Sequence, residues 1–345
     1  MLSFIAERAK EDAVALVRPG GEQMTYATLA MASAALTQAI GERVGDPARR
    51  LVAIAVEEGA AFVASLLAVL EAGAVAMPLD LRRGITALER EAAAARALAV
   101  VVGDAAEDRL EVVAVDASRR ELPPEACLVV EAGGRHAVHS RAALGLGVDA
   151  IVQALGLDAH SRVPLGEPPA HLTSLLDALA TLRAGGTLLI GDAPGANVTR
   201  PAVLDTAEAL RLRLAGTPLP GVELRGEGSV VEAHAPTMML GYLDDAAATR
   251  AALVERDGKR WVRARSVDAV DPDALERVVA ATPGVREAAV LSVRDAAGDR
   301  LYAFVAGDAA AVPRHPARVV ALESLPHRAD GSIDREALRR MASAD

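Results

Sequence analysis

Along the first 190 positions, short apolar runs alternate with stretches of helical periodicity. The run at 51–56 predicts a buried strand, the spacing over 60–71 predicts a helix stopped by Gly73, and 74–77 predicts a second strand. This is a βαβ unit, for which a right-handed crossover is expected. Further runs at 98–102, 112–115 and 127–130 predict strands, followed by helices over 140–155 and 171–183 and a strand at 187–190. Such alternation places a mostly parallel sheet between helical layers, a doubly wound α/β domain over residues 1–191.

The segment 191–197, rich in Gly, Pro and Ala, reads as a linker, and the pattern changes after it. Short strands at 222–224, 230–233 and 261–263, with a helix over 245–254, predict a small β-rich part within 192–266. From 267 to 345 the pattern is that of an α+β domain. It has a helix over 272–281 with Pro272 at its first position, strands at 288–293 and 302–306, and a final helix capped by Asp334.

Charge narrows the partners. The net charge of -10 argues against nucleic acid, since phosphate neutralisation needs a basic surface. The most apolar stretch, 59–79, is interrupted by Glu71, Gly73 and Pro78 and therefore reads as helix plus strand, not as a membrane span. The first ten residues include Glu7, Arg8 and Lys10 and lack the layout of a signal peptide. One cysteine, Cys127, rules out an internal disulfide, so a cytoplasmic protein is expected. Cys127 stands in an apolar run, where a structural thiol is expected. With one Trp, three Tyr and three Phe there are few platforms for stacking a base, and the only lysines are Lys10 and Lys259.

Several fragments carry a family pattern in order. They are Met24-Thr25-Tyr26-Ala27-Thr28-Leu29; Leu70-Glu71-Ala72-Gly73-Ala74-Val75-Ala76-Met77-Pro78-Leu79-Asp80; Thr217-Pro218-Leu219-Pro220-Gly221-Val222; and Met239-Leu240-Gly241-Tyr242-Leu243-Asp244-Asp245. Near the end stands Leu325-Pro326-His327-Arg328-Ala329-Asp330-Gly331-Ser332-Ile333-Asp334-Arg335. Together they resemble the adenylate-forming enzymes: acyl- and aryl-CoA synthetases, peptide-synthetase adenylation domains and luciferases. The resemblance implies a reduced form of that fold, with a doubly wound sheet, a small β-rich segment and a C-terminal α+β domain.

The departures from the family pattern all fall on nucleotide chemistry. The family has a lysine where this chain has Ser332, and a serine lacks the charge that stabilises developing negative charge during acyl-adenylate formation. In place of the family's hydroxyl-rich phosphate loop stands Glu131-Ala132-Gly133-Gly134-Arg135-His136-Ala137, which has lost the hydroxyls and the lysine and begins with a carboxylate. Between Gly191 and Gly216 the chain omits the stretch that carries the family's adenine-stacking aromatic and magnesium-binding glutamate. No aspartate occupies the ribose position near Ala264-Arg265-Ser266, and the hinge region is contracted.

The candidate site follows from these losses. His171, in Pro168-Pro169-Ala170-His171-Leu172-Thr173, matches the family residue that borders the acyl site; the competing role is a helix-start histidine that only packs. His139 is a second candidate base. The amides of Gly133 and Gly134, with Arg135 and His136, could hold an anion at the start of the following helix, unless they form an ordinary βα turn. His136 and His139 lack the further ligands a metal needs, so no metal is expected.

The resemblance thus implies a member that binds neither ATP nor magnesium and no longer adenylates. Such a member would bind an acyl or aryl thioester, on coenzyme A or phosphopantetheine, or a carrier protein, in a biosynthetic pathway. Two other readings remain open. One is an enzyme repurposed for acyl transfer, hydrolysis or condensation on an activated thioester, with His171 or His139 as base. The other is a divergent but active AMP-forming ligase.

Overall fold

A computed structural model describes residues 8–9, 12–57, 59–104, 109–115, 121–132, 134–166, 168–191, 193–198, 203–225, 230–265, 276, 279–280, 282–295, 298–309, 312, 318–328 and 333–343. The chain divides into two compact units, one of Met1–Arg225 with Glu232–Arg265 and one of Gly226–Val231 with Ser266–Asp345.

The first unit is built on a seven-stranded sheet. Its middle four strands, in the order Ala126–Glu131, Val75–Pro78, Leu51–Ala55 and Ala99–Asp104, are parallel. Antiparallel strands flank them: Arg109–Ala114 on one side, and His136–Ser140 followed by Gly241–Tyr242 on the other. The run Leu-Val-Ala-Ile-Ala at 51–55 is apolar at every position because both faces of the sheet are covered. On one face, Leu88 and Ala92 of the Ile85–Ala94 helix close a cluster with Leu51, Ala53, Val75, Met77, Val129 and Val138. On the other lies the Gly59–Glu71 helix, apolar nearly all round because it also packs on the Tyr26–Val44 helix. The sheet is therefore doubly wound, as the alternation predicted.

A second sheet orders Gln23–Thr25, Val14–Val17, Thr187–Leu189 and Arg162–Pro164. Tyr26, wholly buried, ties this layer by donating its hydroxyl to Gly186 O (2.7 Å). Among the described residues no helix is long and apolar enough to cross a membrane.

The stretch after the predicted linker folds as the antiparallel strands Val203–Thr206 and Leu210–Leu214, with Thr217–Pro218 pairing beyond. Asp205 through Arg211 are all buried, an unusual place for a turn, because a buried turn must find partners for its own backbone. Here each partner is a dedicated one. His139 Nε2 bonds Ala207 O (2.7 Å), Met239 N bonds Glu208 O (2.7 Å), Thr237 Oγ1 bonds Ala209 O (2.6 Å), and Thr206 Oγ1 accepts from Ala209 N (3.0 Å).

Arg211 anchors the turn. It grips Asp205 with Nε and Nη2 (2.7 and 2.8 Å) and reaches Asp177 on the Leu172–Ala184 helix with Nη1 (2.5 Å). Burial works against its charge, but the hydrogen bonds and the charges of the two aspartates more than offset this, holding its pKa above the usual arginine value.

The region read as a helix over 245–254 is a shorter helix, Ala246–Ala252, followed by the strand Leu253–Arg256. The cause is Asp257-Gly258, both at positive φ (53° and 71°), a two-residue hairpin turn that returns the chain antiparallel as Lys259–Arg265. These strands join Glu223–Arg225 and Val230–His234 in a four-stranded sheet. On it, Trp261 lies beneath the Arg225 guanidinium, 4.2 Å from the ring centroid.

In the second unit the hairpin strands Val285–Asp295 and Gly298–Gly307 are joined by the parallel strand Arg318–Leu322. The Arg335–Ser343 helix buries Leu338 and Ala342 against Ala289, Leu291, Tyr302 and Phe304. Asp334 Oδ1 accepts from Glu336 N and Ala337 N, the cap expected of it. The helix predicted over 272–281 lies largely outside the described residues, and so does Ser332.

Replacing Arg211 by Met leaves Asp205 and Asp177 buried without the guanidinium, and breaking such a group from one side costs about 3–5 kcal/mol. The urea midpoint of Arg211→Met should fall accordingly, and replacing both aspartates as well by apolar residues should recover most of the loss.

Candidate functional site

The strands Leu51–Ala55, Val75–Pro78 and Ala126–Glu131 run in one direction, so their carboxyl ends form a single edge of the sheet, where open α/β folds bind ligands. Beyond Pro78 comes Asp80, whose carboxylate takes a two-pronged bond from Arg82 (Nε to Oδ1 2.9 Å, Nη2 to Oδ2 2.7 Å). That bond, with a smaller contribution from His171, holds the Asp80 carboxyl below the usual carboxylate range. His171 is the N-cap residue of the Leu172–Ala184 helix, in extended conformation and half-buried; its side chain makes no capping bond.

Between Glu131 and the helix expected over 140–155 the chain forms a further strand in place of a βα turn. Ala126–Glu131 pairs antiparallel with His136–Ser140, and the turn between them is closed by Ala132 N to Arg135 O (2.7 Å). The helix Arg141–Leu155 begins only after this strand, capped by Ser140 Oγ accepting from Ala143 N (3.0 Å). The Gly134 amide, at φ 85°, therefore lies away from the helix N-terminus, and it donates to Glu131 Oε1 (2.7 Å). Gly133 lies outside the described residues.

Arg135 and His136 are drawn to carboxylates on separate segments. Arg135 Nε bonds Asp245 Oδ2 (3.1 Å), with its guanidinium 5.8 Å from the Tyr242 ring centroid. His136 Nε2 meets Glu91 Oε1 (2.9 Å), while Arg83 Nη1 takes Glu91 Oε2 (2.7 Å). Tyr242 donates its hydroxyl to Glu208 Oε1 (3.0 Å); burial first, then the Glu208 charge, raises the phenol pKa.

His139 is placed elsewhere. It is wholly buried, and its Nε2 must carry the proton to bond the Ala207 carbonyl. Burial pushes its pKa down to about 4, so the ring is neutral at physiological pH and turned to the core, a structural position that a base at the carboxyl edge would not occupy. Cys127 is also fully buried, and burial pushes its thiol up to about 12, which suits the structural role expected of it. Among the described residues no group of three or more His, Cys, Asp and Glu is placed to hold a metal.

The edge thus carries Arg135, His136 and His171 from the sequence reading, and adds Asp80, Glu91, Glu208, Tyr242 and Asp245. Asp245 was detectable as a helix cap, its Oδ1 accepting from Ala248 N (2.8 Å). Glu208 gave no signal, because nothing in its neighbourhood announces that a charged turn is buried.

Residues 4–142 match the AMP-binding enzyme family. No curated protein matches the chain in sequence. Among solved structures, the amide bond synthetase McbA from Marinactinospora thermotolerans is similar over 98% of this chain and 99% of its own, at 21% identity and a TM-score of 0.61. Apo MatB from Rhodopseudomonas palustris is similar over 99% and 98%, at 15% identity and a TM-score of 0.64. NpsA-ThdA from Klebsiella oxytoca, an artificially fused adenylation and PCP di-domain, is similar over 89% and 80%, at 14% identity and a TM-score of 0.60. The match in sequence thus lies in the first part of the chain, over residues 4–142, and the fold of the chain as a whole is that of these structures.

Because the folded state holds His139 neutral down to about pH 4 while the unfolded chain protonates it near pH 6.5, the unfolded state binds more protons in between. Stability should therefore decline as pH falls from about 6.5 to 4, by up to about 3 kcal/mol from this residue. His139→Gln, which keeps a donor for Ala207, should flatten that part of the pH profile in chemical denaturation.

Proposed function

We propose that this chain has given up ATP-dependent adenylation and retains a seat for an acyl or aryl thioester, on coenzyme A or on a carrier protein, within a biosynthetic assembly. The observation that carries the first half is the bond from the Gly134 amide to Glu131 Oε1 (2.7 Å). In the hairpin that stands where the family holds phosphates, the chain's own carboxylate takes a backbone donor. A carboxylate in that position repels a triphosphate, and neither hydroxyl nor lysine accompanies it. Ser332 in place of the family's lysine points the same way.

The second half rests on what the carboxyl edge keeps. Arg135 offers a half-exposed cation to an anionic handle such as a phosphopantetheine phosphate, and His171 stands at a helix start beside the Asp80–Arg82 pair. Carrier-protein binding also has a family precedent, since one similar structure is an adenylation domain fused to a PCP. Buried His139 gives no support to a repurposed acyl-transfer enzyme, which would depend on His171 alone.

Titration calorimetry with ATP and magnesium should give no saturable binding in the tens of micromolar range, and carboxylate-dependent pyrophosphate exchange should be absent. Either signal would overturn the reading. Ser332→Lys should yield no gain in acyl-adenylate, because one restored charge does not rebuild a phosphate loop or an adenine platform. A measurable gain would mean that the nucleotide site survives.

A further inference from the structure

Asp245 divides its carboxylate between two tasks. Oδ1 caps the Ala246–Ala252 helix through Ala248 N, and Oδ2 holds Arg135, which sits on a different segment and faces Tyr242. Tyr242 is bonded in turn to Glu208 of the buried turn, and Leu243 N donates to His136 O (2.8 Å). The tip of the hairpin is thereby fastened to the segment 242–245, and through Tyr242 to the core.

We propose that the Arg135–Asp245 pair is an anion-released latch on the carboxyl edge. A phosphate or carboxylate group arriving there competes with Asp245 for Arg135, drawing the guanidinium from Asp245 and Tyr242 and loosening the segment from the hairpin. The side chains are 53% and 38% exposed, so the pair is worth only a few-fold in an equilibrium, weak enough for a doubly charged anion to displace. Asp245 stays attached to its helix after release, because the capping bond uses the other oxygen. The inference rests on reading this edge as the seat of an anionic ligand.

Asp245→Asn separates the two tasks, since Asn caps a helix as well as Asp does but carries no charge for Arg135. Amide hydrogen exchange in the ligand-free protein should accelerate about two- to five-fold at Arg135 and Leu243 in this variant. The unaltered protein should show the same in roughly 0.5 M salt, which screens the pair. Inorganic phosphate, followed by calorimetry, should bind Asp245→Asn about two- to five-fold more tightly than the unaltered protein, and Arg135→Ala more weakly than either. Unchanged exchange in Asp245→Asn would overturn the latch even if phosphate binds. Accelerated exchange with phosphate binding to neither protein would remove the ligand seat, and the release by anion with it.

Discussion

A charged turn buried in the core sets the terms for the rest of the first unit. From Asp205 to Arg211 the chain is cut off from water, and a segment so placed must be given hydrogen-bond partners for its backbone and its charged side chains by its surroundings. Those partners come from distant parts of the sequence: Asp177 on one helix, His139 on the strand His136–Ser140, and Thr237 and Met239 on the loop before the last strand of the large sheet. Each bond has a narrow range of geometry, so satisfying the turn also fixes the relative positions of these elements. An apolar contact would tolerate sliding, whereas this arrangement does not.

The carboxyl edge inherits that rigidity. Glu208 belongs to the same turn, and its bond from the Tyr242 hydroxyl brings the segment 241–245 over the edge, where Asp245 meets Arg135. A side chain that ends in the core therefore governs how the rim is laid out. The charges at the rim are largely matched within the protein: Arg82 with Asp80, Arg83 and His136 with Glu91, and Arg135 with Asp245. Any anionic ligand would have to compete with carboxylates already in place, in contrast to a phosphate loop of open backbone amides.

How much of this was legible in the sequence depended on the range of the interaction. The central strands could be read because burial on both faces leaves an uninterrupted apolar run such as Leu51-Val52-Ala53-Ile54-Ala55, a signal wholly local to the strand. The strand His136–Ser140 was missed because His136, His139 and Ser140 leave only two apolar residues in it, though His139 is among the most buried of the described residues. Val203–Thr206 and Leu210–Leu214 were missed for a related reason: Asp205, Thr206, Glu208 and Arg211 carry the composition of a surface loop. What buries them is a set of partners up to dozens of residues away, and no window of sequence contains both sides of those bonds. The motif fragments were more dependable for the fold than for the site. They located the edge through Asp80 and Tyr242 but said nothing of Glu91 or Glu208.

Trp261 is the only tryptophan in the chain, and it lies 1% exposed on the small four-stranded sheet with the Arg225 guanidinium over its face and the His234 ring 5.9 Å away. Indole emission from this protein therefore originates in a single dry, cation-covered location. It shifts to the red when Arg225 departs and water reaches the ring. Such a signal follows the small sheet alone, whereas far-ultraviolet circular dichroism is dominated by the helices around the large sheet and the hairpin of the second unit. A denaturation curve recorded by both probes is thus a direct test of cooperativity: superimposable curves mean one transition, and separated ones mean that the small sheet melts on its own.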